Sequence, residues 1–418
     1  MSPLYEIFKQ HPQVTTDSRN IPAGSIFFAL RGASFDGNRF AADALEKGAS
    51  YAVIDDPGVI GEHPALGDRL ILVEESLSAL QALAREHRRA LGLPILAIAG
   101  SNGKTTTKEL TAAVLSQKYR VYATRGNLNN HIGVPLTLLA MDAETEFGIV
   151  EMGASACGEI ALLCSIAEPD YGLLTNIGHA HLEGFGGPEG IRRGKGELFD
   201  FLAAHNGRAF IPKEDEILTL MAQERPGMAV ESYSRQIADK AENQLEGEFN
   251  RLNIAASLAV GRFFGVDKAL MRTAIAAYHP SNHRSQRTPT ERNTLILDCY
   301  NANPSSMAAA LGHFAGEGAA PHARKVLILG DMRELGAWSA EEHTAILRQA
   351  LMMADAELHL VGSDFAQAYE TLQPAGAIHC HATCAELINR LKAEPITDAL
   401  ILIKGSRSIG LEQVIPYL

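Results

Sequence analysis

The chain has 418 residues, of which 46% are apolar and 21% charged, and a formal net charge of −12. Length and composition point to a globular protein of about three domains. The balance of 37 Lys and Arg against 49 Asp and Glu argues against nucleic acid, which would need a basic face. Apolar runs are short and broken by Gly, Pro or charge, so none spans a bilayer. The opening Met1-Ser2-Pro3-Leu4-Tyr5-Glu6 carries no basic segment leading into an apolar one, and a cytoplasmic location with no membrane contact is expected.

Residues 1–84 read as a small α/β module. Asp17-Ser18-Arg19 leads into the turn composition Ile21-Pro22-Ala23-Gly24-Ser25, and Ile26 to Leu30 follows as a buried strand. A helical stretch from Phe40 to Lys47 stops at Gly48, and Tyr51 to Ile54 is a second strand. Ser18 and Arg19 beside these turns could bind an anionic group such as a diphosphate, or Arg19 could simply be solvated. A helical segment, Ser76 to Leu91, then leads into the next unit.

Residues 85–278 carry the stretch with the most chemistry in it. Gly100-Ser101-Asn102-Gly103-Lys104-Thr105-Thr106 sits between the apolar run Ile95 to Ala99 and a helical pattern from Thr107 to Gln117. Glycines let backbone N–H groups turn toward phosphate oxygens, a helix N-terminus adds its positive dipole end, Lys104 supplies a cation, and Thr105 a hydroxyl for magnesium. ATP or GTP is the expected ligand. The loop lacks the first glycine of the longer G-x-x-x-x-G-K-[ST] pattern, so it must be a shorter cradle.

Strands at 148–150, 171–174 and 209–211 alternate with helices at 159–166 and 189–203, which predicts a mostly parallel sheet with ligands at the carboxyl ends of its strands. Glu151 follows one strand and offers a magnesium ion a hard oxygen, or else caps a helix. His179, His181 and Glu183 follow another. Histidine is a poor magnesium ligand, so a second ion with nitrogen ligation would suit them better. Asn127, Asn129 and Asn130 lie in a glycine-bounded loop, where their amides could read hydroxyls or phosphates or merely favour a turn. A helix from Ile254 to Phe263 has Asn250 as its expected cap.

Residues 279–418 restart the rhythm: strands at 294–297, 325–329, 357–361 and 399–403, with helices at 305–314, 339–353 and 384–391. This predicts a second doubly wound unit. Three strands end in polar signatures: Asp298 to Pro304, Gly330 to Gly336, and Lys404 to Ser408. They should share one rim facing the central unit. Five scattered cysteines suit reduced thiols, and His379-Cys380-His381 with Cys384 lacks the second ligand pair of a zinc finger, so packing or loop roles are expected there.

In order along nearly the whole chain, Gly100 to Thr106, Asn127 to Pro135, Glu151-Met152-Gly153, Ala180 to Gly186, Gly194-Lys195-Gly196-Glu197, Tyr300 to Pro304, Leu329 to Met332 and Lys404 to Ser408 resemble the motifs of the Mur ligase family. Its members are ATP-dependent enzymes that build the peptide of bacterial cell-wall precursors. The motif versions are nearest to the branch that adds D-alanyl-D-alanine to a UDP-N-acetylmuramoyl tripeptide; diaminopimelate- or lysine-adding ligases and folylpolyglutamate synthase share the short phosphate loop. The resemblance implies a monomer of α/β class with a UDP-binding module (1–84), a central P-loop ATPase-type parallel sheet (85–278) and a C-terminal Rossmann-like domain (279–418) that binds the incoming amine.

It further implies that Gly100 to Thr106 hold ATP, that Lys104 contacts its phosphates, and that Thr105, Glu151, His181 and Lys195 form the metal site for magnesium. Manganese would be admitted through the His181 nitrogen. Lys195 would act as a carbamate made with carbon dioxide. Asn250, Asn253, Asp298, Asn301 and Asn303 match the adenosine region, and Ser18 and Arg19 the uridine-diphosphate module. Asn127, Asn129, Asn130 and Arg284 fall to the substrates, with Asp331, Lys404 and Arg407 holding the dipeptide. Two departures stand out: Phe249 replaces the histidine usual before Asn250, and Asn282-His283-Arg284 lacks the usual glycine.

Overall fold

Residues 1–239, 241–245, 247–279, 286–317 and 324–418 are described by a computed structural model. They fold around three sheets. The first holds β1 (Val14–Thr15), β2 (Ile26–Phe28), β3 (Tyr51–Ile54) and β4 (Leu70–Leu72), parallel and in chain order. The strand expected over 26–30 stops at Phe28, because the Leu30 carbonyl is taken by Gly37 N–H at 2.8 Å and the chain turns there.

The helix Ser76–Leu91 is continuous, so the unit boundary expected at residue 84 falls inside it. Its buried residues face both neighbours. Tyr5 Oη lies 3.2 Å from His87 Nδ1 on the N-terminal side, and His87 Nε2 donates to Met141 O at 2.9 Å on the central side. Arg88 donates to Ala167 O at 3.1 Å, Glu168 O at 3.0 Å and Asp170 Oδ2 at 2.9 Å, and that same carboxylate oxygen accepts Ile95 N–H at 2.9 Å. One guanidinium thus seats the helix against the start of the strand that carries the glycine loop.

The central sheet holds β5 (Ile95–Ala99), β6 (Val121–Ala123), β7 (Phe147–Glu151), β8 (Tyr171–Leu174), β9 (Arg208–Pro212) and β10 (Ala229–Tyr233), all parallel, in the order 10-9-8-5-7-6. Apolar on both faces, β5 is wholly buried, as a strand in a sheet covered on both sides must be. The strand order reverses beside it, and such a switch point opens a crevice at the carboxyl ends.

The third sheet holds β11 (Gln286–Pro289), β12 (Thr294–Asp298), β13 (Arg324–Gly330), β14 (Ala356–Val361), β15 (Ile378–His381) and β16 (Ala399–Lys404), in the order 11-12-16-13-14-15; only the β11–β12 pairing is antiparallel. Because β12, β16 and β13 are neighbours, the three polar signatures do share a rim, and it meets the central unit through hydrogen bonds between Asn102 and Asn303. No helix among the described residues is long and apolar enough to cross a membrane.

Arg88 is 8% exposed and makes its bonds to carbonyls that would otherwise be left bare. Arg88→Ala should therefore destabilise the protein by about 2 kcal/mol, read as a lower urea midpoint, with little change in the Michaelis constants.

Candidate active site

The glycine loop is shaped by contacts that admit no side chain. Gly100 has φ +128°, and a Cβ there would stand 2.2 Å from Thr175 Oγ1; Gly103 has φ +80°, and a Cβ there would stand 2.6 Å from Asn253 Oδ1. The following helix begins at Lys104, three residues before the pattern predicted, and runs to Leu115. Its N-cap is Gly103, which has no side chain with which to cap, so the first-turn N–H groups suit an anion. Lys104 Nζ donates to Gly100 O at 2.8 Å and Ser101 O at 3.1 Å, folded over the loop. The loop is pinned from β8's end: Ser101 Oγ donates to Gly178 O at 2.8 Å, and Asn102 N–H to Asn176 Oδ1 at 3.1 Å.

Glu151, the last residue of β7, is 2% exposed. Its Oε1 accepts from Thr105 Oγ1 at 3.2 Å and from Asn129 Nδ2 at 2.9 Å, while Oε2 is buried without a hydrogen bond, 3.8 Å from Lys108 Nζ. A carboxylate and a hydroxyl oxygen at this spacing are hard donors of the kind magnesium takes, so Thr105 and Glu151 fit such an ion.

The other two expected ligands, His181 and Lys195, are engaged by protein groups. His181, held at φ +56°, directs Nδ1 at Glu334 across the domain seam. Lys195 is 1% exposed on the helix Pro188–Ala204; its Nζ donates to Ala154 O at 2.9 Å and lies 4.8 Å from the Phe185 ring. The amine is thus buried between the Ala154 carbonyl and the Phe185 ring. Burial first, then the nearby Lys104 charge, push its pKa down to about 7. A neutral amine is thereby accessible near neutrality, which is the form that reacts with carbon dioxide.

A cavity of about 800 Å³ runs from the glycine loop to the C-terminal unit. Ser101 to Thr106, Asn127, Asn129, Asn130, Glu151, His181, Asn250, Asn253, Asp298, Asn301, Asn303 and Lys404 line it, so most of the expected site residues are brought together. Leu245 and Phe249 give it an apolar wall near Asn250. One local role differs from expectation. Asn250 is not a helix cap: the helix starts at Glu248, and the buried Asn250 Oδ1 accepts from Asn253 Nδ2 at 3.0 Å. Asn253 in turn accepts from Thr107 Oγ1 at 3.1 Å and so braces the loop's helix. Asn130 Oδ1 accepts Gly133 N–H at 2.9 Å at the start of the helix Gly133–Leu139.

Two residues expected to hold a dipeptide are spoken for. Asp331 is fully buried, and its carboxylate accepts Asp364 N–H at 3.2 Å and Phe365 N–H at 3.0 Å at the start of the helix Ser363–Leu372. Lys404, 2% exposed, donates to Asp298 Oδ2 at 2.6 Å and Asn301 O at 3.2 Å, tying two strand ends together. Arg407 remains exposed on a second cavity of about 590 Å³, its guanidinium 5.3 Å from the Tyr300 ring. Arg333 and Glu334 also line that cavity, and neither was singled out by the sequence. Arg284 lies outside the described residues. Ser18 and Arg19 lie far along the chain on the β1–β2 loop and line neither cavity; exposed Arg19 pairs with Asp17 at 2.8 Å and holds that carboxyl down at about 2.

The histidine cluster gains partners from β14. His359 lies 3.1 Å from His381 and 3.2 Å from Glu357, beneath packed side chains, and burial pushes its pKa down to about 4. Among the described residues, Asp331, His343 and Asp364 do bring three ligand atoms within 4.8 Å of one another. His343 is already satisfied, however: Nε2 accepts Met332 N–H at 2.9 Å and Nδ1 donates to Ser339 O at 2.8 Å.

Three family profiles match in succession: the Mur ligase family catalytic domain over 12–88, the Mur ligase middle domain over 98–254, and the Mur ligase glutamate ligase domain over 283–407. The chain belongs to the Mur ligase family. It is 32% identical to the UDP-N-acetylmuramoyl-tripeptide--D-alanyl-D-alanine ligase of Bacillus subtilis, over 99% of this chain and 94% of that one. MurF from Acinetobacter baumannii superposes with a TM-score of 0.84 at 28% identity, covering 97% of this chain and 92% of that one. The MurF ligase of Thermotoga maritima, solved in complex with ADP, gives 0.83 at 26% identity, covering 100% and 98%.

Lys104 Nζ is held by the Gly100 and Ser101 carbonyls of a loop at the cavity edge, so Lys104→Met should abolish ATP-dependent phosphate release while leaving the thermal unfolding midpoint nearly unchanged. Glu151→Gln should weaken Mn²⁺ binding to the protein–ADP complex by at least about tenfold, measured by electron paramagnetic resonance of the ion.

Proposed function

We propose that this chain is an ATP-dependent ligase that joins D-alanyl-D-alanine to the terminal carboxylate of a UDP-N-acetylmuramoyl tripeptide. The observation that carries this reading is a phosphate loop facing, across one cavity, a C-terminal rim of polar strand ends, in a chain that matches dipeptide-adding relatives over nearly its full length. The N-terminal module, with Ser18 and Arg19, would hold the uridine diphosphate; for this Arg19 must exchange Asp17 for phosphate.

A carboxylate is inert to amines at neutral pH because its carbon is weakly electrophilic and oxide is too poor a leaving group. Transfer of the γ-phosphoryl group of ATP makes an acyl phosphate; the dipeptide amine then attacks the acyl carbon, a C–N bond forms, the C–O bond to phosphate breaks, and the amine gives up a proton. Positioning and charge neutralisation dominate such transfers. Lys104, released from the loop carbonyls, supplies a cation to the phosphates, and the first-turn amides of its helix orient them. A magnesium ion held by Thr105 and Glu151 would supply charge neutralisation to the phosphate oxygens. Asn129 keeps the Glu151 carboxylate turned toward Thr105.

Lys195 enters this reading as a carbamate. A protonated lysine close to the Lys104 charge would repel cations, whereas its carbamate is an oxygen-bearing anion. Since only the neutral amine reacts, and its pKa lies at about 7, the modification should be lost as pH falls through that value.

Phosphate release should require a UDP-linked tripeptide and D-alanyl-D-alanine together; release without the dipeptide would refute the ligase reading. Lys195→Arg should lower turnover by about 100-fold or more, since arginine keeps its charge and forms no carbamate. Wild-type turnover should fall below pH 7 and recover when bicarbonate is raised. Substantial activity in the arginine variant would remove the carbamate.

A further inference from the structure

The second cavity adjoins the first, sharing Thr105, His181, Tyr300 and Glu334 with it. Its polarity is ordered. Glu334 belongs to the part that the two cavities share with Thr105 of the phosphate loop, whereas Arg333, Arg407 and Ser406 line only the second. Arg333 and Glu334 are consecutive yet line one space; Glu334 adopts φ +63°, a left-handed turn that breaks the alternation an extended chain would impose.

Each group has bonding capacity to spare. Glu334 is 58% exposed along its side chain, and its ion pair to His181 uses Oε2, leaving Oε1 for another donor. Arg333 is 49% exposed; its NH1 donates a long hydrogen bond to Asp364 Oδ2 at 3.5 Å and stands 3.9 Å from Asp331, contacts that use one of the guanidinium nitrogens and leave the others for a ligand. Its backbone is fixed, because Arg333 N–H donates to Ser406 Oγ at 2.9 Å, which also sets its distance from Arg407 on the next loop.

We propose that Arg333 and Glu334 determine specificity for the incoming zwitterionic dipeptide: Glu334 receives the amine end, and Arg333 with Arg407 the carboxylate. This rests on the ligase reading above. The order of charges is the one the reaction needs. The amine must come to the acyl carbon beside Thr105, whereas the dipeptide carboxylate must be kept away from the anionic phosphates. A planar guanidinium fork also matches a carboxylate in two parallel hydrogen bonds, which a lysine cannot do. Glu334 and Arg333 thus supply the charges that Asp331 and Lys404 commit to their own neighbours.

The test uses the full chain with ATP, a UDP-linked tripeptide, and either D-alanyl-D-alanine or its C-terminal amide. Wild type should prefer the free acid strongly. Arg333→Met should raise the Michaelis constant for the dipeptide by about 30-fold, leave those for ATP and the UDP-tripeptide within about twofold, and erase most of the preference for acid over amide; Arg333→Lys should fall between. Glu334→Gln should lower kcat/KM for the acid and the amide alike, since both carry the amine. A preference for the acid that survives Arg333→Met, or a selective rise in the Michaelis constant for the UDP-tripeptide, would overturn the proposal while leaving the ligase reading intact. If wild type releases no phosphate with any UDP-peptide and D-alanyl-D-alanine, the ligase reading itself fails, and this proposal with it.

Discussion

The site depends on one buried carboxylate. Taking an ion out of water costs several kcal/mol even after relaxation, and Glu151 is tolerable at 2% exposure only because Thr105, Asn129 and Lys108 converge on it. Those partners come from two places in the chain, the helix Lys104–Leu115 and the Asn129 loop, and the sheet register brings Glu151 to them. Glu151 pairs with Ile98 of β5, two residues before Gly100. A slip of one residue would turn the carboxylate to the opposite face and strand it in the apolar core. Its backbone is tied as well, since Glu151 N–H donates to Thr124 Oγ1 at 3.0 Å. The same register that builds the core therefore holds this carboxylate at the switch point.

A second constraint runs along the seam between the central and C-terminal units. The segment after β8 pins the glycine loop through Asn176 and Gly178, and a few residues later it meets the other unit: His179 Nδ1 lies 2.7 Å from Glu342, and His181 pairs with Glu334. Both His181 and Glu334 adopt left-handed backbone, a conformation that costs a non-glycine residue roughly 1 kcal/mol or more. That two strained residues meet at the junction of both cavities fits a functional demand on their geometry better than a demand of packing.

Much of the architecture was legible in the sequence. Long apolar runs bounded by glycine or polar clusters gave the central strands of both large sheets, because a strand covered on two faces has no polar position to spare, and Gly-x-x-Gly-Lys-Thr after such a run has few other uses. The two- and three-residue strands β1, β4 and β6 were missed, being too short to show a period. Polar residues beyond a strand were harder to read. Lys404 faces Asp298 as its register partner, and that pairing follows only from knowing that β16 lies beside β12, a hundred residues away in the chain. Asp331 looked like a rim residue until the helix Ser363–Leu372 was seen to offer it two N–H groups. In both cases sequence indicates that a charge leaves the strand, but not whether a neighbour claims it.

This distinction bears on how a ligase of this kind divides its labour. Charges that bridge strand ends, such as Asp298 with Lys404, make the rim rigid; charges left with spare bonding capacity, such as Glu334, Arg333 and Arg407, are the ones a substrate can recruit. The loop and the rim are not independent, since Asn102 and Asn303 exchange amide hydrogen bonds, Asn303 Nδ2 donating to Asn102 Oδ1 at 2.8 Å, while Asn303 also caps the helix Pro304–Gly316. A ligand that reshapes the glycine loop must then act on the helix that carries the rim, and a rim residue must act on the loop. Coupling of this kind suits a reaction whose acyl phosphate would be lost to water if formed before the amine was in place.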